Sequence, residues 1–211
     1  MKLTVFGATG GIGKEIVRQA LDAGHEVTAV VRDPARLPLT GERLEVFRAD
    51  LTDPAALRPA VSGRDAVLSG LGARGRSDAG VAVRLTRTVL AALEAEKVRR
   101  LLLVSAAPVG PEPEEDGFLD RAMRGVVSAV LKDVYTDLRE MEAEVAARSG
   151  VDWTVVRPPR LRDKPLTGGY RTAVGGFPPK GRFIGRADVA HAMLAMVDDP
   201  ATLRQGVGVA Y

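Results

Sequence analysis

The stretch Lys2-Leu3-Thr4-Val5-Phe6-Gly7-Ala8-Thr9-Gly10-Gly11-Ile12-Gly13-Lys14-Glu15-Ile16-Val17 decides the fold. Lys2 to Phe6 reads as a short apolar strand. Ile12, Ile16, Val17, Ala20 and Leu21 then recur at helical spacing, and Gly24 stops that helix. Between the two lies a turn whose glycines follow the pattern G-x-x-G-x-x-G. Such a turn lets the chain reverse sharply, brings the backbone close to a pyrophosphate and packs the helix tightly on its strand. The helix N-terminus then offers free N–H groups and a positive dipole to an anion. A glycine triplet is weak evidence by itself. Here a strand precedes it and a helix follows, which is the context a dinucleotide-binding loop requires.

Outward from that loop, strands and helices alternate. Strands are expected at Glu26 to Val31, Leu44 to Phe47, Ala66 to Ser69, Arg100 to Val104 and Asp152 to Val156, with a closing strand at Val207 to Tyr211. The Arg100 to Val104 run is almost unbroken Leu and Val, as a strand buried on both faces should be. Helices are expected after Asp53-Pro54, along Val81, Leu85, Val89, Ala92 and Leu93, from Phe118 to Ser149 with a break near Lys132-Asp133, and along Val189 to Val197. This order implies an α/β fold, a doubly wound and mostly parallel sheet of Rossmann type, in one domain over residues 1–211. The Pro- and Gly-rich segment from Pro158 to Gly185 is expected over the carboxyl ends of the strands, on the substrate side.

Composition narrows the chemistry. The 211 residues are 45% hydrophobic and 27% charged, with a net charge of +3. That profile belongs to a globular chain rather than a disordered one. The longest weakly polar run, Leu101 to Gly110, falls well short of the roughly 20 residues a spanning helix needs. Met1-Lys2 leads straight into a strand, so neither membrane nor secretory leader is expected, and the location expected is cytoplasmic. There is no cysteine, which excludes disulfides, thiolate metal sites and dithiol redox chemistry. With only His25 and His191, no histidine metal site is expected either. Only six of the 30 basic residues are lysine, and acidic residues are interspersed among the arginines. No nucleic-acid partner is therefore expected.

The end of the second strand sets the cofactor. An acidic residue there accepts from the ribose 2′-hydroxyl of NAD. This chain has Arg32, with Arg36 four residues on. A guanidinium suits a 2′-phosphate, because its planar fork donates two hydrogen bonds. NADP(H) is the expected cofactor, although Asp33 adjoins Arg32. Asp50 could accept from an adenine amino group or simply serve the turn Asp50-Leu51-Thr52-Asp53-Pro54.

The motifs Gly7 to Gly13, Val30-Val31-Arg32-Asp33, Ala49-Asp50-Leu51, Gly70-Leu71-Gly72 and Val104-Ser105-Ala106 resemble those of the atypical short-chain dehydrogenase/reductase family of NAD(P)H-binding proteins. Val31 to Pro38 and Pro165 to Tyr170 are most similar to its biliverdin reductase B, or flavin reductase, branch. The resemblance implies that Gly7, Thr9, Gly10, Gly11, Ile12 and Gly13 hold the pyrophosphate. It assigns the 2′-phosphate to Arg32 with Arg36 as helper, and adenine to Asp50 and Leu51. Gly70, Leu71 and Gly72 would line the nicotinamide-side ribose, and Pro158 and Pro159 would pass the carboxamide. Ser105 would sit beside the nicotinamide and the acceptor as the catalytic candidate.

One departure matters. The wider superfamily places Tyr-x-x-x-Lys on the helix after the fifth strand, where the lysine lowers the tyrosine pKa for proton exchange with a carbonyl. This chain has Tyr135-Thr136-Asp137-Leu138-Arg139. The expected activity is therefore NADPH-dependent hydride transfer to a small flat conjugated acceptor such as a flavin, quinone or tetrapyrrole, which needs no such pair. Two alternatives stay open: a non-catalytic NADP(H)-binding sensor of NmrA-like type, and a carbonyl- or sugar-modifying reductase using Tyr135. Arg74 and Arg76 could attract an anionic acceptor, and the acidic loop carrying Glu112, Glu114, Glu115 and Asp116 could act as a lid. Both segments could equally be solvated connections.

Overall fold

Alternation along each strand decides which layer its side chains enter. In a parallel sheet covered on both faces, successive residues point to opposite helix layers, and both layers must be apolar. The computed structural model describes residues 1–72, 80–111 and 131–211. In it the strands β1 (Lys2–Phe6), β2 (Glu26–Val31), β3 (Leu44–Arg48), β4 (Ala66–Ser69), β5 (Arg100–Val104) and β6 (Asp152–Arg157) are all parallel. Leu102 of β5 packs on the same side as α1 (Gly11–Asp22), while its neighbours Leu101 and Leu103 pack on the other, with α2 (Pro54–Val61), α3 (Val81–Glu96) and α4 (Lys132–Ala146). The same division separates Val5 from Phe6 on β1.

Short strands β7 (Arg160–Arg162), β8 (Arg171–Val174) and β9 (Phe183–Gly185) precede helix α5 (Arg186–Ala195) and the closing strand β10 (Gln205–Ala210). The main sheet among the described residues is ordered β3-β2-β1-β4-β5-β6-β10-β8. The order reverses between β1 and β4, which is the switch point where open α/β sheets bind ligands. β10 runs parallel to β6, and β8 closes the edge antiparallel to β10. No described helix is long and apolar enough to cross a membrane.

Both ends of the segment 158–185 stand at the carboxyl end of the sheet, Pro158 after β6 and Phe183, whose carbonyl accepts from Tyr211 N, beyond β10, while its middle runs outward. Arg160–Arg162 pairs with Phe183–Gly185 in a separate two-stranded sheet. Leu166 shares a groove with Arg18, Gln19, Asp22, His191 and Leu194, on the outside of the α1–α5 layer. Arg171–Val174 becomes an edge strand. The physical reason is Asp188 in the first turn of α5. It is buried, and its carboxylate accepts from Thr167 N (3.0 Å), Gly168 N (2.8 Å) and the Tyr211 hydroxyl (2.5 Å), which draws the segment outward over the helices. These hydrogen bonds also hold the Asp188 pKa below the ordinary carboxylate value, against the opposing effect of burial, which is the largest single influence on it.

One buried charge ties α5 to the sheet. Arg100 opens β5 and is 8% exposed. Its guanidinium donates to the carbonyls of Met196, Val197 and Asp152 and to the hydroxyls of Thr154 and Thr202. The carbonyls at the end of a helix lack intrahelical donors, and here an arginine supplies them. Replacing Arg100 by Met should leave those acceptors unpaired and lower the unfolding free energy by about 3 kcal/mol or more. Urea denaturation checks this, and an unchanged midpoint would refute the anchoring role.

Candidate cofactor site

The glycine loop is shaped by contacts that no side chain could survive. Gly7 sits in the left-handed region at φ 72°, and its amide oxygen accepts from Gly10 N at 2.8 Å. A Cβ on Gly13 would lie 2.1 Å from that same oxygen, well inside van der Waals contact. A Cβ on Gly7 would lie 2.8 Å from the Gly70 carbonyl carbon. The loops after β1 and β4 are thus pressed together backbone to backbone, with Gly70 N donating to Phe6 O at 3.0 Å. Helix α1 begins directly against them. No side chain caps it, and its first turn contains no acidic residue. Its N–H groups and dipole face the switch point, which is what an anionic pyrophosphate requires. Gly72, at the end of the β4 loop, has open space where its side chain would be.

Sequence reasoning missed Arg186. Its side chain lies over Gly11, where a Cβ would come 2.5 Å from its Cδ. Its Nη1 meets Asp163 Oδ1 at 2.6 Å, and that aspartate is 90% exposed. A signal was present: an arginine at the first position of α5 opposes the helix dipole and so calls for another reason to be there.

At the end of β2, Arg32 is exposed and lines a pocket of about 430 Å³ together with Arg48, Ala49 and Asp50. Asp33 caps the turn Pro34–Arg36, its Oδ1 accepting from Ala35 N at 3.1 Å. One oxygen of that carboxylate is thus engaged in the turn. Arg36 lies within the turn and is not among the residues lining the pocket. Asp50 Oδ1 accepts from Thr52 N (2.9 Å) and Thr52 Oγ1 (2.8 Å), so it serves the turn and still presents a carboxylate to the pocket. Those hydrogen bonds, and then the nearby Arg32, lower its pKa. The Leu51 side chain, next to Asp50, is buried in the core beside α2.

Ser105 follows β5. Its N–H donates to Val156 O at 2.8 Å, extending the β5–β6 ladder. It is 7% exposed, and its Oγ finds no hydrogen-bond partner among the described residues. The turn that follows, Ala107–Val109, has Ala106 at its cap position, so Ser105 does not cap it. Buried hydroxyls are ordinarily paired, and an unpaired one costs about 1–3 kcal/mol. Pro158 is buried alongside, its carbonyl accepting from Ala107 N at 2.9 Å, while Pro159 is half-buried. Ser105 and Pro158 therefore stand together at the carboxyl ends of β5 and β6.

Tyr135 is buried in the α2–α3–α4 core, against which Ala106 and Val109 of the loop after Ser105 also pack, and burial raises its pKa. Arg139 instead donates to the Pro108 carbonyl at 3.4 Å. An acid–base tyrosine needs its pKa lowered, and this environment does the opposite. His25 contacts the N-terminal ammonium, and His191 the Tyr170 hydroxyl at 2.7 Å. Among the described residues no metal-ligand cluster occurs. Arg74, Arg76, Glu112, Glu114, Glu115 and Asp116 lie outside the described residues.

Gly13→Ala tests the cradle. The new methyl must displace the Gly7 carbonyl, so nucleotide affinity should fall at least about tenfold, with some loss of thermal stability. Titration with NADPH measures it, and an unchanged Kd would contradict the backbone contact.

A family model described as NAD(P)H-binding matches residues 7–200. A (4-alkanoyl-5-oxo-2,5-dihydrofuran-3-yl)methyl phosphate reductase of Streptomyces griseus is 34% identical over 157 residues, 74% of this chain and 46% of that protein. The uncharacterized sugar epimerase YhfK of Bacillus subtilis is 28% identical over 209 residues, 96% of this chain and 90% of that one. A solved structure from Streptococcus pneumoniae TIGR4, proposed to be an NADH-flavin reductase, superposes with a TM-score of 0.80 at 22% identity, covering 100% of this chain and 99% of that one. At that identity it speaks to the fold alone. The chain spans less than half the length of several curated relatives it matches, at 46%, 34% and 38% of them. By the matched span of residues 7–200 and the glycine-lined cradle at the sheet's switch point, this chain belongs to the NAD(P)H-binding family of Rossmann-type proteins.

Proposed function

We propose that this chain is an NADPH-dependent reductase that delivers hydride to a flavin or a similar flat conjugated acceptor. Two observations carry the reading together: a buried Ser105 hydroxyl without a partner among the described residues, and a Tyr135 whose pKa burial raises. The site offers a hydrogen-bonding group at the reacting end of the sheet and no activated phenol. An acceptor that takes hydride into a conjugated system suits it, because the accompanying proton can come from water. The name of the Streptomyces griseus relative, a reductase of an oxo-dihydrofuran phosphate, supports reduction as the reaction class.

Bound NADPH supplies two electrons and one proton as hydride. The protein's part is placement. The N-terminus of α1 holds the pyrophosphate, with the Arg186 guanidinium beside Gly11 as a further cation. Arg32, exposed at the end of β2 and lining the pocket with Ala49 and Asp50, holds the 2′-phosphate. Ser105 Oγ donates to the nicotinamide carboxamide or to the acceptor, orienting one against the other. Pro158, fixed through Ala107, lines the site beside it. Orientation of this kind supplies much of the rate in a hydride transfer between two bound rings.

The test is NADPH oxidation against flavins, quinones and carbonyl compounds, with NADH in parallel. Flavin or quinone turnover that exceeds carbonyl turnover supports the reading. Tight NADPH binding without turnover of any acceptor overturns it in favour of a sensor. Carbonyl reduction abolished by Tyr135→Phe would overturn it in favour of tyrosine chemistry. Ser105→Ala should lower kcat about tenfold or more while leaving NADPH affinity within about twofold.

A further inference from the structure

We propose that Arg48 is a second determinant of cofactor specificity, closing with Arg32 on the 2′-phosphate of NADPH. The inference rests on the NADPH reading above and adds a residue to it. Arg48 is the last residue of β3, and its Cα is in register with Val31, the residue before Arg32. Ala49 N donates to Val31 O at 3.1 Å, which fixes the ends of the two strands side by side. Both arginines line the same pocket, with Ala49 and Asp50 as the remaining wall.

Many arginines elsewhere are engaged on the protein itself. Arg18, Arg58, Arg64, Arg87, Arg99, Arg148 and Arg157 all meet carboxylates on this protein. Arg48 is exposed and forms no hydrogen bond or ion pair with a described residue. Arg32 likewise forms no hydrogen bond with a described residue, and Asp50 lies close enough for the Arg32 charge to act on its carboxylate. Two like charges facing one pocket repel, and a dianion between them converts that repulsion into attraction. A phosphate monoester has the charge and the oxygens to engage two planar forks. The Asp50 carboxylate, held back by Thr52, suits the neighbouring amino group of adenine and not the phosphate. Cationic and anionic walls in one pocket thus match an adenosine 2′-phosphate.

This placement also explains why Arg36, the helper expected from the sequence, is not needed in the pocket. It sits in the turn Pro34–Arg36, whereas Arg48 is set by the β2–β3 ladder. A guanidinium held on a strand end is better fixed than one on a turn, and fixed donors lose less entropy on binding.

The experiment measures Kd for NADPH, NADH and 2′,5′-ADP with the wild type, Arg32→Ala, Arg48→Ala and Arg48→Lys, each checked by its thermal unfolding midpoint. Arg48 is exposed and unpaired, so the variants should fold as the wild type does. The expected result is that Arg48→Ala weakens NADPH and 2′,5′-ADP by about tenfold or more and leaves NADH within about twofold. Arg48→Lys should recover only part of the loss, because a point charge replaces a fork. Wild-type affinity for 2′,5′-ADP should fall as pH drops through the second phosphate pKa, about 6, and Arg48→Ala should flatten that dependence. NADPH preference lost in Arg32→Ala but intact in Arg48→Ala would overturn this proposal alone. Equal weakening of NADPH and NADH by Arg48→Ala would also overturn it. A wild type without NADPH preference would overturn the cofactor reading and this inference with it.

Discussion

Everything at the site depends on three backbones occupying one space. Gly7, Gly13 and Gly70 touch through main-chain atoms alone, at separations that a single Cβ would abolish. This close approach sets α1 against β1 and brings the β4 loop to its N-terminus. It leaves the first turn of the helix without a side-chain cap, and the side chain over it is the cationic Arg186. An anion can then reach the amide dipoles directly, where they act in a partly desolvated setting and are worth more than in water. The sheet order, with its reversal between β1 and β4, opens the crevice into which those amides face.

The periphery is organised by charges with assigned partners. Arg100 satisfies the end of α5 from within the core, and Asp188 satisfies the backbone of the segment that wraps outside it. Arg157 pairs with Glu142 at 2.6 Å and packs on Gly206 and Gly110, joining β6, β10, α4 and the loop after β5. These contacts leave little slack around Ser105 and Pro158. The arginine excess therefore resolves into two populations. Most described arginines staple elements together, and a small set at the carboxyl edge stays available to a ligand.

The core strands and the glycine loop were readable because their signals are local. Strand β5 shows its burial in its own five residues, and its ends, Arg100 and Val104, coincide with expectation. The G-x-x-G-x-x-G turn likewise needs only its flanking strand and helix. What escaped is non-local. β8 forms because it lies against β10, a partner some thirty residues away, and its sequence Arg171-Thr172-Ala173-Val174 carries little strand signal of its own. The fate of Pro165 to Tyr170 was set by Asp188, on a helix that follows it. Arg186 and Arg48 reached the site through packing and register, which a linear reading does not contain. Tyr135 shows the reverse: its spacing invited a catalytic role, and its burial withdrew the pKa that role needs.

The central claim is that the crevice between β1 and β4 binds NADPH by its two phosphate groups, one on amides and one on guanidiniums. A crystal structure of the complex with NADPH tests it most directly. The account predicts the pyrophosphate over Gly10 to Gly13 and the 2′-phosphate within hydrogen-bond reach of Arg32, with the nicotinamide ring beside Ser105. A nucleotide bound with its 2′-phosphate in open solvent, or outside this crevice, would contradict it.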